Sequence, residues 1–271
     1  MNQKTIKNSI KIIGVGIHSG KTANMKLNPA PDNTGIIFIR TDKNNTNIPV
    51  NINSKSIANR ATILQNKSVQ IHTPEHLLAA CYILGINNLY IEIDSEEVPI
   101  LDGSAIDYIK SLKKAGIEEQ STPNNTLVLT TPLQIKEDDK QILILPNKIF
   151  KISFVLEYPD SFIGIQDFSL EINQKTFIKE IAPARTYGFE SEIQTLFDQG
   201  LAKGGNLNNT LVIGENKYLN PQRFQDEPVR HKILDLIGDL SILGKQFTGH
   251  IIATKSGHNL NLKMVEALSK L

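Results

Sequence analysis

The side chains best suited to chemistry gather in three stretches, HTPEHLLAA (His72–Ala80), VRHKILDLIGDL (Val229–Leu240) and TKSGHNLN (Thr254–Asn261). In the first, His72, Glu75 and His76 have the spacing of an inverted zinc-protease motif, which needs both histidines on one helical face. Thr73 and Pro74 are helix-start signals, a cap followed by a first-turn proline. They put His72 just outside the helix and Glu75 and His76 in its first turn. The histidines should then diverge, leaving His76 as the candidate ligand, Glu75 as its neighbour and His72 on the surface. In the second stretch, at about 100° per residue, His231, Asp235 and Asp239 fall at roughly 0°, 40° and 80°, while Ile233, Leu234, Leu236, Ile237 and Leu240 occupy roughly 140–300°. The polar stripe is either a solvated helix face or half of a site. With His76 it supplies two imidazoles and one carboxylate, the set that holds a catalytic zinc and keeps one position open. Non-haem iron takes the same donors, so the residues admit Zn2+ and Fe2+ alike. In the third stretch His258 lies in a Ser-Gly loop directly before a terminal helix, whose dipole disfavours an imidazolium. A charged His258 needs a carboxylate partner, and Asp239 is the candidate.

The elements that must position these residues follow from periodicity. In KTANMKLNPAP, Ala23, Met25 and Leu27 alternate with polar residues, and TGIIFIR follows a turn, which predicts an antiparallel strand pair. A helix over TPEHLLAACYILG, stopped by Gly85, a strand NNLYIEID, and a helix SAIDYIKSLKKAG, capped by Ser104 and ended by Gly116, complete the first part. IEEQSTPNNT lacks apolar periodicity and contains Pro123, so it reads as a linker. After it come strands in LVLTTPLQI, QILILP and KISFVLEY, helical segments around 190–199 and 227–243, a strand GHIIAT and the terminal helix. Each part runs strands first and helices after, which predicts an α+β fold in two domains, residues 1–120 and 126–271, of similar architecture. A length of 271 residues suits two packed cores.

GVGIHSGKT invites comparison with a nucleotide phosphate loop, but no pair of its glycines has the four-residue spacing, and a strand rather than a helix follows. A net charge of +1 gives no electrostatic case for nucleic acid or an anionic membrane. The single cysteine, Cys81, in the apolar run LLAACYIL, excludes an internal disulfide and reads as a buried small hydrophobe. No apolar run approaches the roughly 20 residues of a spanning helix, and the N-terminus lacks a signal-peptide pattern. The expectation is a cytoplasmic, monomeric protein with a small-molecule partner, no nucleic-acid partner and no transmembrane segment.

Six stretches in sequence order, GVGIHSGK, HTPEHLLAA, EVPILDGSA, IAPARTYGF, VRHKILDLIGDL and KSGHNLN, resemble the zinc-dependent UDP-3-O-acyl-N-acetylglucosamine deacetylases of lipid A biosynthesis, over nearly the whole chain. The resemblance implies two similar α+β domains packed face to face with the metal between them. It also implies an insert near residues 187–219 that forms a passage for the substrate's acyl chain. It implies metal ligands His76, His231 and Asp235, a general base Glu75, a general acid His258, an oxyanion contact from Thr186, and electrostatic tuning by Lys232 and Asp239. The reaction implied is hydrolysis of the acetamide of UDP-3-O-(3-hydroxyacyl)-N-acetylglucosamine with release of acetate, the committed step of lipid A biosynthesis. Tyr187 stands where the family usually has phenylalanine, which leaves a hydroxyl in need of a partner. Two other readings use the same residues differently: a zinc peptidase, for which no substrate-strand cleft is evident and His72 is misplaced, and an inactive carbohydrate-binding relative, against which the intact metal, base and acid set argues. Acetate release separates the three.

Overall fold

The computed structural model describes residues 2–57 and 61–271. Two sheets of the described residues share one five-stranded topology, and the second has a sixth strand, Thr126–Val128, paired with its central strand. The first contains β1 (Ile10–Val15), β2 (Thr22–Pro29), β3 (Ile36–Arg40), β4 (Thr46–Pro49) and β5 (Leu89–Ile93) in the spatial order β1-β2-β5-β3-β4. The second contains β6 (Leu133–Glu137), β7 (Lys140–Leu145), β8 (Phe150–Tyr158), β9 (Gly164–Glu171) and β10 (Gln246–Thr254) in the order β6-β7-β10-β8-β9. In both, the last strand enters the middle, antiparallel to the second strand and parallel to the third. The fold is α+β, and the duplication anticipated from element order is present in strand order and strand direction.

That central insertion overturns one expectation. KTANMKLNPAP and TGIIFIR both form strands, β2 and β3, but they do not pair with each other, because β5 lies between them. Leu89, Ile91 and Ile93 of β5 are fully buried, so this strand gains most from a central position. The register then sets Leu27 beside Ile91 and Ile91 beside Phe38 on one buried face. A second expectation also fails. The segment read as a linker is the strand Ile117–Pro123, antiparallel to Asn2–Ile6 with Ile117 opposite Ile6. Its partner lies more than a hundred residues away, so no local pattern announces it. LVLTTPLQI is split as well, into Thr126–Val128, which pairs in parallel with the start of β10, and β6.

Among the described residues six α-helices accompany the sheets: α1 (Glu75–Leu84), α2 (Ile106–Ala115), α3 (Gln174–Glu180), α4 (Ile193–Asp198), α5 (Glu227–Leu240) and α6 (His258–Leu268). Helix α1 lies against α5, α2 against α1 and α6 against α5, and the apolar residues of both parts join in one core. Helices α1 and α5 are buried around nearly their whole circumference, Glu75, His76, His231, Asp235 and Asp239 included. The polar stripe of α5 is therefore not a solvated face. Arg230 anchors the start of α5, stacked between the rings of Phe168 and Phe224 and paired with Asp226 and Glu180. Among the described residues, no helix is long and apolar enough to cross a membrane.

Each part carries an insertion. Between β4 and α1 the strands 55–57, 62–66 and 69–72 form a small antiparallel sheet, and in the second part Tyr187–Phe189 pairs in parallel with Leu211–Ile213 around α4.

Candidate active site

The start of α1 differs from its sequence reading. Pro74, not Thr73, is the N-cap, and no side chain caps the helix. Thr73 takes φ +56, in the left-handed region, and points its hydroxyl at Glu97 Oε1, 3.4 Å away. Glu75 and His76 accordingly open α1. His72 ends the strand Val69–His72, half-buried rather than on the surface, with its ring bonded to Gln70 at 3.0 Å, apart from the other histidines of the site.

Across from them α5 presents His231 and Asp235 one turn apart. Asp235 Oδ1 lies 3.1 Å from His231 Nε2 and 3.7 Å from His76 Nε2. The imidazole rings of His76 and His231 stand nearly perpendicular, at 85°, with centroids 5.0 Å apart. Donor atoms of the three residues all fall within 4.8 Å of one another. Two ligands at tetrahedral angle, each about 2.0–2.1 Å from a zinc ion, are separated by about 3.4 Å, so the spacings suit a single small cation. The surroundings agree. His231 Nδ1 is 3.0 Å from the carbonyl of Ala184, which can only accept; Nδ1 therefore carries a proton, and Nε2 is the ring nitrogen turned toward Asp235. Nε2 and the carboxylate face each other across 3.1 Å, a spacing that either a proton or a metal cation satisfies. Burial pushes the His76 imidazole below its ordinary pKa, toward the neutral form a metal requires. Burial would raise Asp235, yet His231 and Lys232 hold it well below the usual carboxylate range.

The packing of α1 on α5 brings the groups this close. At Gly238 the helices touch backbone to backbone, and a Cβ there would stand 2.2 Å from the carbonyl oxygen of Glu75. On the same side of α5, fully buried Asp239 accepts through Oδ2 from His258 Nδ1 and Asn261 Nδ2, both at 2.8 Å, and through Oδ1 from the Thr62 hydroxyl. His258 is the first residue of α6, with Gly257 as N-cap, and its Nε2 is 4.0 Å from Asp235 Oδ2. Burial works against a charged His258, but Asp239, with Asp235 and Glu75 behind it, raises its pKa to about 9. Glu75 is pushed up to about 8, first by burial and then, against the pull of His258, by Asp239 and Asp235. Its Oε2 has no hydrogen-bond partner among the described residues. Lys232 reaches Asp235 Oδ2 at 3.0 Å.

Glu75, His76, Thr186, His231, Lys232, Asp235 and His258 line one cavity of about 730 Å³. Its wall continues over the apolar residues Phe189, Ile193, Leu196, Phe197, Leu207 and Val212 of the second insertion. Thr186 is held there through its backbone, donating to Gly103 O and accepting from Leu211 N. The hydroxyl of Tyr187 meets that of Tyr158 at 3.0 Å. Sequence reasoning missed Ala184, Thr62, Asn261 and Tyr158, none of which carries a local signal. Arg185 was missed too. Its guanidinium and backbone N–H bind the fully buried carboxylate of Glu227 in the first turn of α5, fixing the segment whose Ala184 carbonyl orients His231.

Comparison with known proteins gives matches over nearly the full chain. A family model described as UDP-3-O-acyl N-acetylglycosamine deacetylase matches residues 3–270. The UDP-3-O-acyl-N-acetylglucosamine deacetylase of Thermodesulfovibrio yellowstonii is 43% identical over 269 residues, 98% of this chain and 91% of that protein. Proteins of the same name from Geobacter sp. (strain M21) and Nautilia profundicola are each 41% identical, over 99% of this chain and 89% and 92% of their own lengths. With this extent of match, the chain belongs to the UDP-3-O-acyl N-acetylglycosamine deacetylase family.

Proposed function

We propose that the protein hydrolyses the acetamide of UDP-3-O-(3-hydroxyacyl)-N-acetylglucosamine and releases acetate, as the committed step of lipid A biosynthesis, with zinc as its metal. The observation that carries this reading is the single cavity in which a two-histidine, one-carboxylate donor set, a buried glutamate and a charged histidine meet an apolar wall. His76, His231 and Asp235 would hold the ion; Fe2+ suits the same donors. When bound, the ion supplies Lewis acidity, which acidifies water, polarises the acetamide carbonyl and draws the pKa of Glu75 downward.

The rest belongs to the chain's own groups. Ionised Glu75, with Oε2 free of other bonds among the described residues, takes the proton of the attacking water. His258, with its pKa near 9, is protonated at neutral pH; its Nδ1–H is committed to Asp239, and its Nε2–H is the proton passed to the departing amine. Thr186 and Lys232 face the same cavity, where a hydroxyl and an ammonium oppose charge developing on the carbonyl oxygen. The apolar residues around α4 take the acyl chain. In this reading residues 1–120 and 126–271 are two domains, the first supplying Glu75 and His76 and the second the remaining groups.

The test is acetate release from the acylated UDP-sugar by purified protein, its loss on chelation and its return with Zn2+. Wild-type protein that carries zinc yet releases no acetate would overturn the reading. Peptide cleavage in its place would favour the zinc-peptidase alternative.

A further inference from the structure

The loop between β1 and β2, residues 16–21, is the phosphate-loop look-alike of the sequence, and the proposed chemistry makes no use of it. It is held from beneath by the carboxylate of Glu97, a residue only 1% exposed. Oε1 accepts the backbone N–H of His18 at 2.8 Å and Oε2 that of Ser19 at 2.7 Å. Only glycine at position 16 admits this carboxylate, because a Cβ would stand 2.1 Å from Glu97 Oε2. Glu97 is itself set in the frame of the segment entering α1, through the Thr73 hydroxyl and a bridge to His72. The loop in turn carries the second insertion. Ile17 O accepts from Gly204 N at 2.9 Å and His18 O from Lys203 N at 3.1 Å, and a Cβ on Gly204 would lie 2.2 Å from Gly16 O. Ile17 and His18 on one side, and Ala202 and Leu207 on the other, line the same cavity as Glu75.

We propose that Glu97 is a positioning residue for acyl-chain recognition: by fixing the 16–21 loop it fixes the insertion docked on that loop, and so the width of the apolar passage. The proposal rests on the deacetylase reading above. A carboxylate is required because two backbone donors converge on it and both its oxygens can accept, giving two charge-assisted bonds. Glutamine would set an N–H₂ against one of those donors.

The test uses Glu97→Gln and Gly204→Ala, with UDP-N-acetylglucosamine carrying either a long 3-O-acyl chain or a 3-O-acetyl group. In Glu97→Gln the KM for the long-chain substrate should rise roughly tenfold, the effect of one such bond, with kcat and the KM for the short-chain analogue little changed. Hydrogen exchange at the Lys203 and Gly204 amides, which Glu97 does not touch, should quicken. Gly204→Ala leaves the Glu97 bonds intact and should produce the same selective rise; it carries the test if Glu97→Gln does not fold. The double variant should be no worse than about the poorer single one, as for two lesions in one chain of contacts. An unchanged ratio of KM values, equal losses on both substrates, or unaltered protection at 203 and 204 would each overturn the proposal. Wild-type protein that releases no acetate from either substrate would instead defeat the deacetylase reading, while the exchange measurement would still decide whether Glu97 holds the insertion.

Discussion

Replacing Gly238 by alanine sets two effects of opposite sign against each other. In a helix interior alanine is favoured over glycine by about 1 kcal/mol, so an open position would be stabilised. Here the new Cβ would lie 2.2 Å from Glu75 O, 2.8 Å from its carbonyl carbon and 2.9 Å from its Cα, all backbone atoms that no rotamer change can move. Relief requires α1 and α5 to separate by about 1 Å, and overpacking of this kind costs about 1–3 kcal/mol. The net loss should be about 1 kcal/mol, a drop of roughly 2–4 °C in Tm for a chain of this size. Chemistry should suffer far more. Glu75 and His76 sit on one helix and His231 and Asp235 on the other, and a misplacement of about 1 Å costs on the order of 10² in rate. The assay is acetate release measured alongside thermal unfolding and bound zinc. A Gly238→Ala protein with raised Tm and near-wild-type turnover would refute the claim that this backbone contact sets the geometry of the site.

Three further outcomes follow. His76→Ala and His231→Ala should lose tight metal binding while retaining wild-type far-UV circular dichroism; full zinc occupancy in both would remove them from the ligand set. With His258 as the proposed acid, activity should fall as pH rises through its pKa of about 9; Asp239→Asn removes the charge that raises this pKa and should move the basic limb of the pH–rate profile to lower pH, whereas an unmoved limb would show that Asp239 is not the charge partner. Arg185→Ala leaves the Glu227 carboxylate buried without a cation and should cost about 3–5 kcal/mol in denaturant unfolding, the usual result of breaking a buried pair, while a loss below about 1 kcal/mol would show that the two backbone N–H bonds to Glu227 suffice.

What the sequence determined by itself is what a repeat of 3.6 or of 2 residues can carry. The one-turn spacing of His231, Asp235 and Asp239 places them on one side of α5, and the structure keeps them there. The alternation of Ala23, Met25 and Leu27 marks the buried face of β2, and Cys81 is buried as its apolar neighbours imply. The start of α1 was legible to within two residues, but the role of Thr73 was not, since its left-handed backbone turns the hydroxyl from the helix end to Glu97. Tertiary structure decided everything that depends on a distant partner. Strand periodicity says which residues face a core but not which strand lies alongside, so β5 between β2 and β3, and Ile117 opposite Ile6, were hidden. The carbonyl of Ala184 that orients His231 belongs to the backbone and has no signature in residue type. The polar stripe of α5 is buried and not a solvated face because Gly238 lets α1 approach it closely, enclosing it together with Glu75 and His76. That is a fact of helix packing, which neither helix's own sequence contains.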